Sequence, residues 1–239
     1  MDQKMMTKEW DSLTYEQKNE VLLERQKHTL EEFLKHGAIS KQQYEKSLHD
    51  LTQKMGTKEY LDIVDEYGHP TGETISRDVA HTDGILHRTA HVWVVRKTDE
   101  GYDILLQKRS EEKDSFPGLY DTSSAGHIPA GDEPLESALR ELKEELGISA
   151  TADQLHYAGS FRIQYEKEFH GRMFRDNEVT WVYVYDAPVD ISTLKLQESE
   201  VSEVRWFDWD EVWNEIKTDR GRFCVPTGGL NVLRKYLIV

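Results

Sequence analysis

Residues 126–148 read Gly126-His-Ile-Pro-Ala-Gly-Asp132-Glu-Pro-Leu-Glu-Ser-Ala-Leu-Arg140-Glu141-Leu142-Lys143-Glu144-Glu145-Leu146-Gly147-Ile148. The stretch predicts a helix over about 134–146. Side chains three and four apart share a helix face, so Glu141 sits beside both Glu144 and Glu145. Three like charges on one turn repel one another, and a bound divalent cation best explains such a cluster. Hard carboxylate oxygens suit Mg²⁺ or Mn²⁺. A solvated acidic helix face is the alternative, and the flanking residues argue against it.

Those residues are Gly126, Arg140, Glu141, Leu142, Glu144, Glu145, Gly147 and Ile148. Their order and spacing resemble the Nudix box, in which a Gly, an acidic position and an Arg-Glu pair precede Glu-Glu and a closing Gly-aliphatic pair. One position departs: Asp132 stands where the box has Glu. A match of this length is far more specific than a lone glycine-rich loop. The resemblance implies a loop–helix–loop that holds metal against a diphosphate. Glu141, Glu144 and Glu145 would then be ligands or the base, and Arg140 would orient them through an ion pair.

The chain has 239 residues, enough for one large domain or one domain with an appendage. No run of about 18 apolar residues is present, so no membrane span is expected. The N-terminal residues lack the apolar segment of a signal peptide. A single cysteine, Cys224, excludes an internal disulfide and fits a reducing cytoplasm. Its setting, Arg-Phe-Cys-Val-Pro, suits a buried structural thiol. The formal net charge of −15 argues against nucleic-acid binding, which needs a basic surface. Residues 1–57 carry nine Lys/Arg against ten Asp/Glu, so nearly all the excess lies beyond them.

Residues 1–57 also differ in kind, with no Pro and many Glu, Lys, Gln and Leu. Thr14 with Gln17 reads as a capping box opening a helix that stops at Gly37. Ser40 with Gln43 reads as a second, followed by an apolar stripe at Tyr44, Leu48, Leu51 and Met55. The expectation is an N-terminal helical hairpin over 1–57 and a catalytic domain over 58–239. Leu34, Gly37, Ile39, Ser40 and Tyr44 resemble the short helical-hairpin modules attached to many bacterial proteins. The hairpin either packs on the main domain or mediates a homodimer. Beyond it, strands are expected at Tyr60–Glu66, Thr71–Arg77, His91–Arg96, Tyr102–Lys108, 156–165, 178–186 and 203–208. Helices are expected at 209–218 and 228–237. The fold class is α/β, a Nudix-type α/β/α sandwich with a mixed sheet.

Outside the box the chain resembles the isopentenyl-diphosphate isomerase branch of the Nudix superfamily, from about Leu61 to Phe207. The marks are Asp65–Gly72, Ala80-His81-Thr82 to Leu86-His87, Gln107–Ser110, Phe116–His127 and Asn177-Glu178-Val179. The resemblance implies a second metal site at His81, His87, His127, Asp176 and Glu178, suited to Mn²⁺ or Zn²⁺. It also implies diphosphate contacts from Arg77, Arg109 and Lys113. Two features oppose isomerase chemistry. The cysteine that exchanges a proton immediately before the Gly-His pair is Ala125 here. The full Glu cluster, lost in the isomerases, is kept.

The expected activity is Mg²⁺-dependent hydrolysis of a diphosphate linkage in a nucleoside-diphosphate derivative or other small organic diphosphate. The base is Glu144, Glu145 or a loop residue among Glu178, Glu198 and Glu200. Phe116, Tyr120, Phe161, Tyr165 and Trp181 are candidates to stack on the organic group. The alternatives are an isomerase and a non-catalytic sensor of a nucleotide-linked ligand.

Overall fold

A computed structural model describes residues 15–55, 59–113 and 115–238. They fall into two compact units, split between Glu59 and Tyr60. The first unit is a helical hairpin of α1 (Tyr15–Lys35) and α2 (Lys41–Met55). Gly37 takes φ +68°, a left-handed conformation that a glycine adopts freely, and ends α1. Ser40 and Gln43 form a reciprocal capping box: the Gln43 amide donates to Ser40 Oγ at 3.2 Å, and the Ser40 amide to Gln43 Oε1 at 2.9 Å. Thr14 and the Gln17 side chain lie outside the described residues.

The second unit is built on a seven-stranded mixed sheet. Its strands are β3 (His87–Lys97), β4 (Tyr102–Arg109), β5 (Tyr120–Asp121), β6 (Ser124–His127), β7 (His156–Phe169), β8 (Arg172–Tyr185) and β9 (Val201–Asp208). β3 is central. It runs parallel to β8 on one side, and pairs antiparallel with β6 and then β4 on the other. β7 extends the sheet beyond β8, and β4 also pairs with β5 and β9. A separate antiparallel pair, β1 (Tyr60–Val64) and β2 (Pro70–Ser76), leads into a short helix α3 (Arg77–Asp83).

Helices cover both faces, so β3 is buried on both, as its apolar run allows. Ala90, Val92 and Val94 pack with Ala138, Leu142 and Leu146 of α4 (Pro134–Leu146). Trp93 and Val95, pointing the other way, pack with Val212 and Ile216 of α5 (Trp209–Thr218) and Leu230 and Leu233 of α6 (Thr227–Leu237). The result is an α/β/α sandwich. On the α5–α6 face the start of β3 changes chemistry. His87, Thr89 and His91 occupy the alternate positions that Trp93 and Val95 fill further along.

The observed elements differ from expectation mainly at this end of the sheet. The strand expected over Thr71–Arg77 ends at Ser76, and Arg77 opens α3. The central strand begins at His87 rather than His91. β5 and β6 have no counterpart among the expected strands, and β7 and β8 run several residues longer.

Candidate active site

Two groups of side chains flank β6, one on each face of the sheet. The first belongs to the box. Glu145 is buried, and its Oε2 accepts from the Ala125 amide at 3.1 Å and from Gln107 Nε2 at 3.3 Å. Burial, then the charge of Glu141, pushes its carboxyl up to about 8. Arg140 Nη1 lies 2.7 Å from Glu141 Oε1 and 3.2 Å from Glu144 Oε2. Its Nη2 donates to the His127 carbonyl at 3.2 Å, tying α4 to β6. Gly126 is needed for that approach, because a Cβ there would fall on the Glu141 side chain. Glu144 is about half exposed.

The second group lies on the α5–α6 face. The β3–β8 and β3–β6 registers place Glu178 opposite His87 and His127 opposite Thr89. His81 arrives from α3. His81 Nε2 lies 3.0 Å from His127 Nε2, and His87 Nε2 lies 3.6 Å from Glu178 Oε1. His81 Nδ1 is 3.7 Å from Asp176 Oδ1. Thr89 Oγ1 donates to Glu178 Oε2 at 2.9 Å. His87 Nδ1 is 2.8 Å from the Ile85 carbonyl, which can only accept. The ring proton is therefore on Nδ1, and Nε2 is left to act as acceptor or ligand.

Burial, then His87, brings the His81 ring down to about 4. Burial also holds His127 well below its ordinary range. Asp176 is pushed up by burial and by Glu178.

This donor set fits a metal ion. His87 Nε2, His81 Nδ1 and Asp176 Oδ1 are buried without hydrogen-bond partners, which is costly unless something binds there. The ligand atoms of His81, His87 and His127 lie within 4.8 Å of one another, as do those of His87, Asp176 and Glu178. Among the described residues, Glu141, Glu144 and Glu145 do not form such a group. Glu145 and Glu141 turn toward Ala125 and Gly126, and Glu144 points outward with Arg140.

The three expected phosphate contacts are placed differently. Arg109 is mostly buried. Its Nη1 pairs with Asp121 Oδ2 at 3.1 Å, and its Nε donates to the Ser115 carbonyl at 2.9 Å. Lys113 pairs with Glu200. Arg77 is exposed at the first turn of α3, close enough to lower the affinity of His127 for protons. Of the five expected stacking rings, Phe116 and Tyr165 border the His81 side of the site through Phe174 and Phe169. Tyr120 packs on Phe207, Phe161 against His91 and the Gly228 backbone, and Trp181 over Gly68. Cys224 is mostly buried and donates to the Tyr120 carbonyl at 3.4 Å, and burial pushes its thiol up. It carries no sign of a nucleophile.

Sequence reasoning missed Asp62 and Arg88. They form a buried ion pair at 2.6 Å, and Asp62 also accepts from the Gly131 amide at 3.0 Å. The pair locks the loop before α4 to β1 and β3. Nothing in the local pattern marks two residues 26 positions apart as partners.

The chain is similar to several known proteins. Nudix hydrolase 3 of Arabidopsis thaliana is 39% identical over 164 residues, 68% of this chain. The chain spans only 21% of that relative's length. An uncharacterized Nudix hydrolase of Clostridium acetobutylicum is 38% identical over 155 residues, covering 65% of this chain and 72% of its own. An isopentenyl-diphosphate Delta-isomerase of Aliivibrio fischeri is 32% identical over 169 residues, 70% of this chain and 90% of its own. The solved structure of DR0079 from Deinococcus radiodurans superposes with a TM-score of 0.55 at 19% identity, over 74% of this chain and 99% of that one, a likeness of fold. The NUDIX domain model itself matches residues 86–225, which hold the whole box and every candidate site residue except Arg77 and His81, and the chain therefore belongs to the Nudix family.

Proposed function

We propose that this protein hydrolyses a diphosphate linkage in a small organic diphosphate, with Mg²⁺ or Mn²⁺ as the metal. The observation that carries the reading is the approach of Glu141 and Glu145 to Ala125 and Gly126 of β6, whose His127 belongs to a buried cluster of His and carboxylate ligands. Glu141, Glu144 and Glu145 would hold one ion, and His81, His87, His127, Asp176 and Glu178 a second. Bound divalent ions supply positive charge against the phosphoryl oxygens.

The chain's own residues do the rest. Arg140 fixes the Glu141 carboxylate against Gly126. The Ala125 amide and Gln107 orient Glu145, which would serve as a ligand or, with Glu144 as the other candidate, as the base. Glu200, held by Lys113, is a further candidate base. Arg109, Lys113 and Arg77 would meet the phosphates.

Isomerisation is the competing activity, since several relatives near 32% identity carry that name. Position 125 opposes it: an alanine methyl has no proton to give. The test is incubation with Mg²⁺ or Mn²⁺ and a panel of nucleoside and prenyl diphosphates, with phosphate, pyrophosphate and monoester products quantified. Release of a monoester is expected. An allylic product from isopentenyl diphosphate would replace hydrolysis with isomerisation, and binding without turnover would make the protein a sensor.

A further inference from the structure

β6 is four residues long, and among the described residues it pairs with one strand, β3. Its outer edge bonds to no strand, so the backbone groups there need other partners. Two side chains of α4 supply them. The Ala125 amide donates to Glu145 Oε2 at 3.1 Å, and the His127 carbonyl accepts from Arg140 Nη2 at 3.2 Å. Between them lies Gly126, whose missing Cβ leaves the space that the Glu141 side chain fills. α4 thus holds residues 125, 126 and 127 one after another.

Side chains alternate along a strand, so His127 points to the face opposite α4. There its Nε2 lies 3.0 Å from His81 Nε2, and its ring stacks on His87 with centres 5.3 Å apart. The Thr89↔His127 pairing holds β6 along its inner edge, and Arg140 holds it along the outer one. The Arg140 guanidinium serves both sides at once. Its Nη1 lies 2.7 Å from Glu141 Oε1 and 3.2 Å from Glu144 Oε2, while its Nη2 donates to the His127 carbonyl. One planar group therefore joins the carboxylates of the box to a candidate ligand on the far face of the sheet. Glu144 shares Arg140 but turns outward, about half exposed.

We propose that Arg140 is a positioning residue for the His cluster. Through the backbone of β6, the box helix sets where His127 presents its Nε2. It thereby sets how tightly His81, His87 and His127 hold an ion. The inference rests on the reading of that cluster as an ion site. Metal–ligand distances tolerate only about 0.2 Å, so a small shift of so short a strand is enough to weaken the site.

The test titrates the full chain, freed of metal, with Zn²⁺. The ring nitrogens of His81, His87 and His127 are followed by long-range proton–nitrogen NMR, with His87→Gln and His127→Gln assigning the signals. Arg140→Met removes the guanidinium. Arg140→Lys keeps a charge beside Glu141 without the planar fork, and serves if the methionine variant does not fold. Both are expected to raise the Kd for Zn²⁺ at the cluster about tenfold, the usual cost of losing a group that orients a ligand. The melting temperature of the metal-free chain should stay within a few degrees. Glu144→Gln is the control: it removes an exposed partner of Arg140 worth little by itself, and Zn²⁺ affinity should stay within about twofold of the wild type. Arg140 variants that bind Zn²⁺ as the wild type does would overturn the inference and leave the ion site standing. Equal weakening by Glu144→Gln would also overturn it, because lost charge in the box would then explain the effect. Wild-type ring signals that Zn²⁺ does not move would remove the ion site, and the inference with it. No arm uses a diphosphate, so failure of the hydrolase reading is seen separately.

Discussion

Glu145 is buried where its ionised form is costly. Its carboxyl is pushed up to about 8 by burial and by Glu141, against an ordinary value of 4.5. The unfolded chain ionises between these values while the folded chain does not. Stability therefore falls as pH rises from about 4.5 to about 8, by up to a few kcal/mol from this group alone. Glu145→Gln removes that penalty. The metal-free variant should melt above the wild type at pH 8 and converge with it near pH 5, while turnover is lost. Calorimetric melts at the two pH values, with a kinetic assay alongside, check both halves. A wild type that melts higher at pH 8 without metal would deny the burial argument. Gly126 poses the complementary case. The atoms nearest a Cβ there all belong to the flexible Glu141 side chain, so the fold can yield. The displaced carboxylate cannot serve equally well, and misplacement of about 1 Å can cost a hundredfold in rate. Gly126→Ala should keep its melting temperature within a few degrees and lose kcat by about that factor.

At the scale of elements, the ion pair between Asp62 of β1 and Arg88 of β3 fixes how the β1–β2 pair meets the sheet and how the loop enters α4. Both side chains are less than a tenth exposed. Breaking such a pair from one side leaves an uncompensated buried charge, at a cost of about 3–5 kcal/mol. Asp62→Ala should lower the urea midpoint accordingly, and a loss under 1 kcal/mol would mean that Arg88 finds another partner. The same elements show where sequence is silent. α4 and α5 were legible to the residue, because each carries an apolar face over three turns. α3 is only seven residues long, too short to show a period, and it follows directly on a strand. The start of β3 hides because His87–Ala90 is buried on both faces and does not alternate. β6 is Ser-Ala-Gly-His, with no strand composition at all. It pairs because β3 offers its edge. The candidate ligands His81, His87, His127, Asp176 and Glu178 come instead from the family resemblance, which matches positions in order whatever element carries them. The aromatic residues Phe169 and Phe174 have no place in that reading, because strands expected to end near 165 and begin at 178 leave them out.

For the whole molecule the question is which part of the chain is sufficient. Among the described residues, all nine strands, both core clusters and every candidate site residue lie after residue 59. Residues 1–57 are nearly neutral, whereas the remainder carries almost all of the −15 charge. That excess is where divalent cations would act, and none of it is lost on removing the hairpin. A chain of residues 58–239 should therefore fold alone and keep kcat and KM within about twofold, a difference of under 0.5 kcal/mol in transition-state terms. Its melting temperature should still rise on adding Mn²⁺, because ligands that bind only the folded state stabilise it. Sedimentation of the full chain beside the shortened one separates the two roles left to the hairpin. A dimer of the full chain and a monomer of 58–239, both active, would assign assembly to α1 and α2 and catalysis to the sheet. A shortened chain that folds and binds Mn²⁺ but turns over more than tenfold slower would mean that the hairpin, or the assembly it forms, completes the site.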